Sequence, residues 1–355
     1  MTPQSESVGR RGRSASWARR VAAVLEIVGV FVGGTLLARL GSRGLHLGPV
    51  NLRALAPGEE PDFLTLSQSA AAYLLLRYGF VLGLAFVVGW WHRRRRLADY
   101  GVTTADRPVR DHVIIAVLLF AAAGLPALGL KFLADVLSLG PAPQHWALTQ
   151  ALDRPGIWLY LFVGSFGLVP IVEELFARGY VQSRLGEDFG APAAILMTAL
   201  FFTFSHTQYF IAGVLGIGML ASLFVASVAA GYVRYRTGSL LPGIIAHALG
   251  NLPFRGWGAP AVLVLMALVV AIWWRAIARY ANRLWHDVVI RDAMIAVGQA
   301  SVVLVVLLAQ VIFAPSLLPG SAALALAIAL LLEFREKRSN PALHPAAAWK
   351  GTGRG

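Results

Sequence analysis

Pro170-Ile171-Val172-Glu173-Glu174-Leu175-Phe176-Ala177-Arg178-Gly179-Tyr180 carries two carboxylates and a guanidinium inside a longer apolar run, 157–180. A hydrophobic run of that length reads as a membrane helix, and an ionisable side chain within it is costly and marks function. Two more such placements follow. Phe202-Thr203-Phe204-Ser205-His206 ends the next apolar run, and His247-Ala248-Leu249-Gly250-Asn251 ends a later one. A carboxylate, two imidazoles and an amide are the parts of a hydrolytic site.

The whole chain agrees with a membrane setting. Of its 355 residues 57% are hydrophobic and only 14% charged, and the mean hydropathy is +0.66, far from a soluble globule. There are no cysteines, which excludes disulfides, thiolate metal sites and cysteine nucleophiles together. The net charge of +13 is not a nucleic-acid footprint. The arginines collect between apolar segments, where they set membrane topology and attract anionic lipid headgroups.

The apolar runs predict an all-α, polytopic transmembrane helical bundle with about ten spans. They fall near 21–40, 67–91, 112–134, 157–180, 190–208, 211–233, 239–253, 258–276, 293–313 and 317–333. Five regions follow. Residues 1–16 form a disordered cytosolic tail, 17–150 the N-terminal transmembrane helices and loops, and 151–255 a catalytic core. Residues 256–334 form the C-terminal transmembrane helices, and 335–355 a second cytosolic tail. With the N-terminus inside, the inner loops collect Arg93 to Arg96, Arg184, Arg234, Arg236 and Arg275 to Arg291, whereas the outer loops keep only Arg43, Arg53, Arg154 and Arg255. That asymmetry places both termini in the cytosol. The span 239–253 is short, about 22 Å at 1.5 Å per residue, and marks a thinned or water-filled region.

Helical geometry groups the polar residues. Glu174 and Arg178 are four apart and pair on one face, while Glu173 points about 100° away. Counting from a hairpin tip near Glu187 to Phe189, Glu173 and His206 come level within roughly 5 Å. His247 reaches the same depth from its own short span. The three converge in a pocket open to the cytosol. There Glu173 acts as base toward a water held by His206, and His247 with Asn251 hydrogen-bonds the oxyanion. Alternatively, Glu173, His206 and His247 hold Zn²⁺, which activates the water. No His-Glu-x-x-His motif and no pair of membrane aspartates occurs, and Ser205 faces away from its neighbour His206. Glu26 and Arg77, also embedded, read as an intramembrane pair. The other reading of Arg77 is a receptor for a substrate carboxylate.

Glu-Glu-x-x-x-Arg, Phe-x-x-x-His and His-x-x-x-Asn, in this order on successive membrane helices, resemble the CPBP family. That family includes the type II CAAX prenyl endopeptidases and the bacterial Abi proteins. Pro170 to Tyr180 looks like its first motif, although Ala177 stands where Phe is common, and Leu240 to His247 looks like its third. The resemblance covers roughly 155–255. It implies a CAAX-protease-like helical core of about eight helices and an intramembrane endopeptidase using a glutamate-activated water. It assigns the base to Glu173, water positioning to His206 and the oxyanion site to His247 and Asn251, with Glu174 and Arg178 as support.

Substrates in the eukaryotic branch are prenylated C-terminal tails. The abundance of Ala, Arg and Gly here suggests a GC-rich bacterium, so the expected substrate is another membrane protein or peptide, and the expected location the inner membrane. The rivals are a non-catalytic immunity or scaffolding protein of the same fold and, behind it, a transporter.

Overall fold

A computed structural model of the chain describes residues 3–45, 63–93, 96–104, 107–137, 153–154, 156–206, 209–210, 213–254 and 258–289. Among the described residues every regular element is helical. Two long helices open the chain, α1 (Pro3–Gly44) and α2 (Phe63–Arg93). The next membrane helix is α3 (Val109–Leu119), a π turn (Phe120–Gly124) and α4 (Leu125–Leu137). The following helix is also segmented. It comprises α5 (Ile157–Leu161), a π turn (Phe162–Phe166), α6 (Leu168–Glu174), a second π turn (Leu175–Val181) and α7 (Gln182–Phe189). Then come α8 (Ala191–Ser205), α9 (Gly213–Thr237), α10 (Leu241–Gly250) and α11 (Gly258–Leu284).

Six helical stretches are long and apolar enough to cross a membrane: Ala22–Gly44, Ser67–Trp91, Val109–Ala134, Ile157–Phe189, Leu215–Thr237 and Gly258–Val288. The chain is an integral membrane protein. Its outward faces are apolar, and Trp90, Trp91, Trp158, Trp273 and Trp274 are all exposed, as residues at a lipid interface are. α8 and α10 are shorter, and ten residues of α10 rise only about 15 Å. They fall in the segments expected to span at 190–208 and 239–253, and neither is among the helices long enough to cross a membrane. The spans expected at 293–313 and 317–333, the tail 335–355 and the outer Arg53 and Arg255 lie outside the described residues.

Packing explains the arrangement. α1 lies along α2, and Gly34 permits it: a Cβ there would come within 2.7 Å of the Val81 Cα. Small residues let membrane helices approach this closely. Behind that pair, Ile27, Val81, Phe176, Tyr180, Leu185 and Phe201 form one buried cluster. Phe176 stacks on Phe31 and on Tyr180, with ring centroids 6.0 and 5.9 Å apart. α7 turns sharply into α8 at Gly190, whose φ of 82° and ψ of 166° suit only glycine.

Four details differ from the sequence reading. α1 begins at Pro3, so residues 3–16 extend a helix rather than form a disordered tail. Once an apolar segment has nucleated a helix, propagation adds one hydrogen bond per residue fixed. The span expected at 157–180 continues to Phe189. Arg184, assigned to an inner loop, is therefore buried inside α7 and bonded to Glu26 (3.0 Å), Asp188 (2.6 Å) and Glu187 (3.4 Å). Finally, Glu26 pairs with Arg184 and accepts a hydrogen bond from Tyr180 at 3.0 Å, not with Arg77. Tyr180 and Arg184 are four apart and present one face to α1.

Candidate active site

The site sits where α2, α6, α8 and α10 meet, on the wall of a cavity of about 700 Å³. α6 delivers the two adjacent carboxylates. Glu174 is buried, and its Oε1 accepts from Arg178 Nη1 at 2.9 Å and lies 3.2 Å from His247 Nδ1. Arg178 is itself held from other sides: Nη2 donates to Ser227 Oγ at 2.7 Å, and its guanidinium covers the Phe202 ring at 4.4 Å. A buried ion pair persists only with such further partners.

Glu173 faces the other way. Its Oε1 accepts from Tyr78 Oη at 2.6 Å. Its Oε2 is buried without a hydrogen bond, 3.8 Å from His206 Nε2 and 3.8 Å from His247 Nε2. Those separations exceed a direct hydrogen bond but fall within the reach of one bridging group. The depth count that paired Glu173 with His206 across antiparallel helices thus corresponds to real proximity.

Both imidazoles are oriented through Nδ1. α8 ends at Ser205, and the backbone of His206 leaves the helix at φ −86° and ψ 60°. That turn brings Nδ1 back to the Phe202 carbonyl at 2.7 Å. For His247 the same office falls to Glu174. Each ring therefore presents Nε2 to the cavity. Phe202 links the two, with its ring 4.7 Å from His206 and 6.0 Å from His247. Ser205 Oγ donates to the Phe202 carbonyl at 2.7 Å, with His206 Nδ1 only at the limit of contact, 3.5 Å.

Asn251 lines the same cavity but is not in the carboxylate–imidazole cluster. Its Nδ2 donates to the Ser165 carbonyl at 3.1 Å, and Ser165 Oγ donates back to the Asn251 carbonyl at 2.8 Å. That reciprocal pair locks the end of α10 onto the π turn of Phe162–Phe166, and leaves one amide N–H of Asn251 for other use.

Zinc can be tested against these positions. The donor types fit: a carboxylate oxygen and two Nε2 atoms whose Nδ1 partners are a carbonyl and a carboxylate, the usual support of metal-bound histidine. The spacing does not. Two ligands at about 2.0–2.1 Å on a tetrahedral ion lie roughly 3.3 Å apart, against 3.8 Å here, and the described residues contain no group spaced to hold a metal.

Residues 155–253 match the family described as type II CAAX prenyl endopeptidase Rce1-like. The likeness is confined to this segment, under a third of the chain. The Rce1-like segment contains all six residues expected from the sequence, Glu173, Glu174, Arg178, His206, His247 and Asn251. No curated protein and no solved structure matches the chain. Tyr78, which reaches the site from α2, lies outside the Rce1-like segment and was not foreseen. Its signal in the sequence is a hydroxyl beside the embedded Arg77, in a span that also carries Tyr73.

Proposed function

We propose that the chain is an intramembrane endopeptidase that hydrolyses a peptide bond of a membrane-associated protein or peptide with a water activated by Glu173. The observation that supports this best is the convergence of Glu173 Oε2 with the Nε2 atoms of His206 and His247. With Nδ1–H of His206 committed to Phe202, its Nε2 offers a lone pair. A water between Nε2 and Oε2 donates one hydrogen to each. Glu173 takes a proton as the water oxygen bonds to the peptide carbonyl carbon. The carbonyl oxygen becomes an oxyanion. In its charged form His247 donates from both nitrogens, Nδ1 to Glu174 and Nε2 to that oxyanion, aided by the remaining Asn251 N–H. The tetrahedral species collapses as the C–N bond breaks, and Glu173 passes its proton to the leaving amine.

In the second reading, for which the donor types alone speak, Glu173, His206 and His247 would hold a Zn²⁺ ion, and its chemistry would be to acidify water. The arginines between spans support cytosolic termini and contact with anionic lipid, with no nucleic-acid partner, and the abundance of Ala, Arg and Gly supports a bacterial inner membrane.

The test is cleavage by the full chain in vesicles of a fluorogenic farnesylated C-a-a-X peptide, alongside membrane-protein fragments in a deletion strain. Glu173→Gln should reduce cleavage by about 10²–10⁴-fold, the contribution of a general base, with unfolding unchanged. Full function in both Glu173→Gln and His247→Ala would leave an immunity or scaffolding role. Activity lost to a chelator and restored by Zn²⁺ would turn the three residues into ligands.

A further inference from the structure

Three cationic side chains stand on the cavity wall: Arg77, Lys131 and Arg178. Arg178 is neutralised by Glu174, and Lys131 has a partner of its own. Arg184, buried elsewhere in the bundle, has three carboxylates. Arg77 has no carboxylate in ion-pair range among the described residues, and its guanidinium stands 6.0 Å from the Tyr78 ring centroid. It lies near the middle of the span Ser67–Trp91, about 15 Å from one end and 21 Å from the other at 1.5 Å per residue. That depth is too great for snorkelling to the headgroups, which serves residues near helix ends. A guanidinium held there half-buried, facing a largely apolar cavity, is suited to receive an incoming anion.

We propose that Arg77 is the subsite for the free C-terminal carboxylate of the peptide substrate. The inference rests on the hydrolytic reading of the site and adds its specificity. The planar fork of arginine matches a carboxylate through two parallel hydrogen bonds. Arg77 and Glu173 flank the same phenol ring, since the Tyr78 hydroxyl holds Glu173 while the guanidinium lies against the ring. An extended peptide advances about 3.3–3.6 Å per residue. A chain end at Arg77 therefore places a peptide bond a few residues from the terminus near Glu173. A lipid phosphate does not satisfy this position, because headgroups lie too far along the span.

The experiment measures binding, not turnover. The probes are a dansylated farnesylcysteinyl-valyl-isoleucyl-alanine peptide with a free C-terminus and the same peptide as its C-terminal amide. The protein is the full chain with Glu173→Gln, in detergent or vesicles. The free acid should bind about 10- to 100-fold more tightly than the amide, the usual size of a charge-assisted contact. Adding Arg77→Gln should abolish that preference, and Arg77→Lys, which keeps the charge and loses the fork, should retain part of it. Thermal unfolding of each variant shows that it is folded. Equal binding of acid and amide, binding of neither, or a preference that survives Arg77→Gln overturns the assignment. Cleavage does not enter these readings. A preference for the acid without hydrolysis by the wild type would remove the protease reading and keep the subsite, and hydrolysis without the preference would do the reverse.

Discussion

On one face of α6, Glu174 meets Arg178 at 2.9 Å and His247 at 3.2 Å, both at Oε1. On the face about 100° away, Glu173 receives a single hydrogen bond from Tyr78, and its other oxygen is buried with none. The two residues share one functional group, one helix turn and one depth. The difference lies entirely in what surrounds them. A carboxylate whose charge is answered by fixed partners orients its neighbours. A carboxylate left with an unanswered oxygen in a low-dielectric site is the one positioned to take a proton.

The contrast can be broken from either side. Glu174→Gln should have the largest effect on the fold. It strands the buried Arg178 charge, which typically costs about 3–5 kcal/mol, and thermal unfolding in detergent should show the loss. An unchanged midpoint would remove Glu174 from its structural role. Tyr78→Phe should be milder and should act on chemistry. Losing one hydrogen bond to an ionised group, worth about 1.5–3 kcal/mol, should lower kcat at least about ten-fold while KM stays nearly constant. If KM rose while kcat held, Tyr78 would be a substrate contact and not a positioner of Glu173. The smallest effect is expected at Gly243, where a Cβ would lie 3.1 Å from Glu174 Oε2. Gly243→Ala should shift that carboxylate by a few tenths of an ångström and cost about 1 kcal/mol. Gly79→Ala, which meets nothing within 4 Å, is the control, and equal behaviour of the two would deny the close packing of α10 on Glu174.

The legible part of this site rests on fixed helical arithmetic. Glu173 and His206 could be brought level because both were counted from one hairpin tip, found at Gly190. Glu174 with Arg178 followed from a spacing of four. Lateral packing was not legible. Glu26 was matched to Arg77 because both are embedded, yet the choice of Arg184 depends on which face of α7 meets α1, and no count along the chain supplies that. Tyr78 was hidden for the same reason, since it is 95 residues from its partner. The role of Phe202 came from its carbonyl and from the guanidinium over its ring, neither of which a residue pattern reveals.

The π turn Leu175–Val181 begins directly after Glu174. A π turn holds a residue more than the α-helix it interrupts, and that surplus works as a phase adjuster along a single rod. Upstream of it the glutamates aim at the two histidines, and downstream Tyr180 and Arg184 aim at Glu26. Deleting one residue there would swing one set past the other by about 100°. Both sets can be changed by substitution, but the length of this stretch is itself part of the active site's alignment. Viable variants of this stretch should therefore differ in identity and keep its residue count.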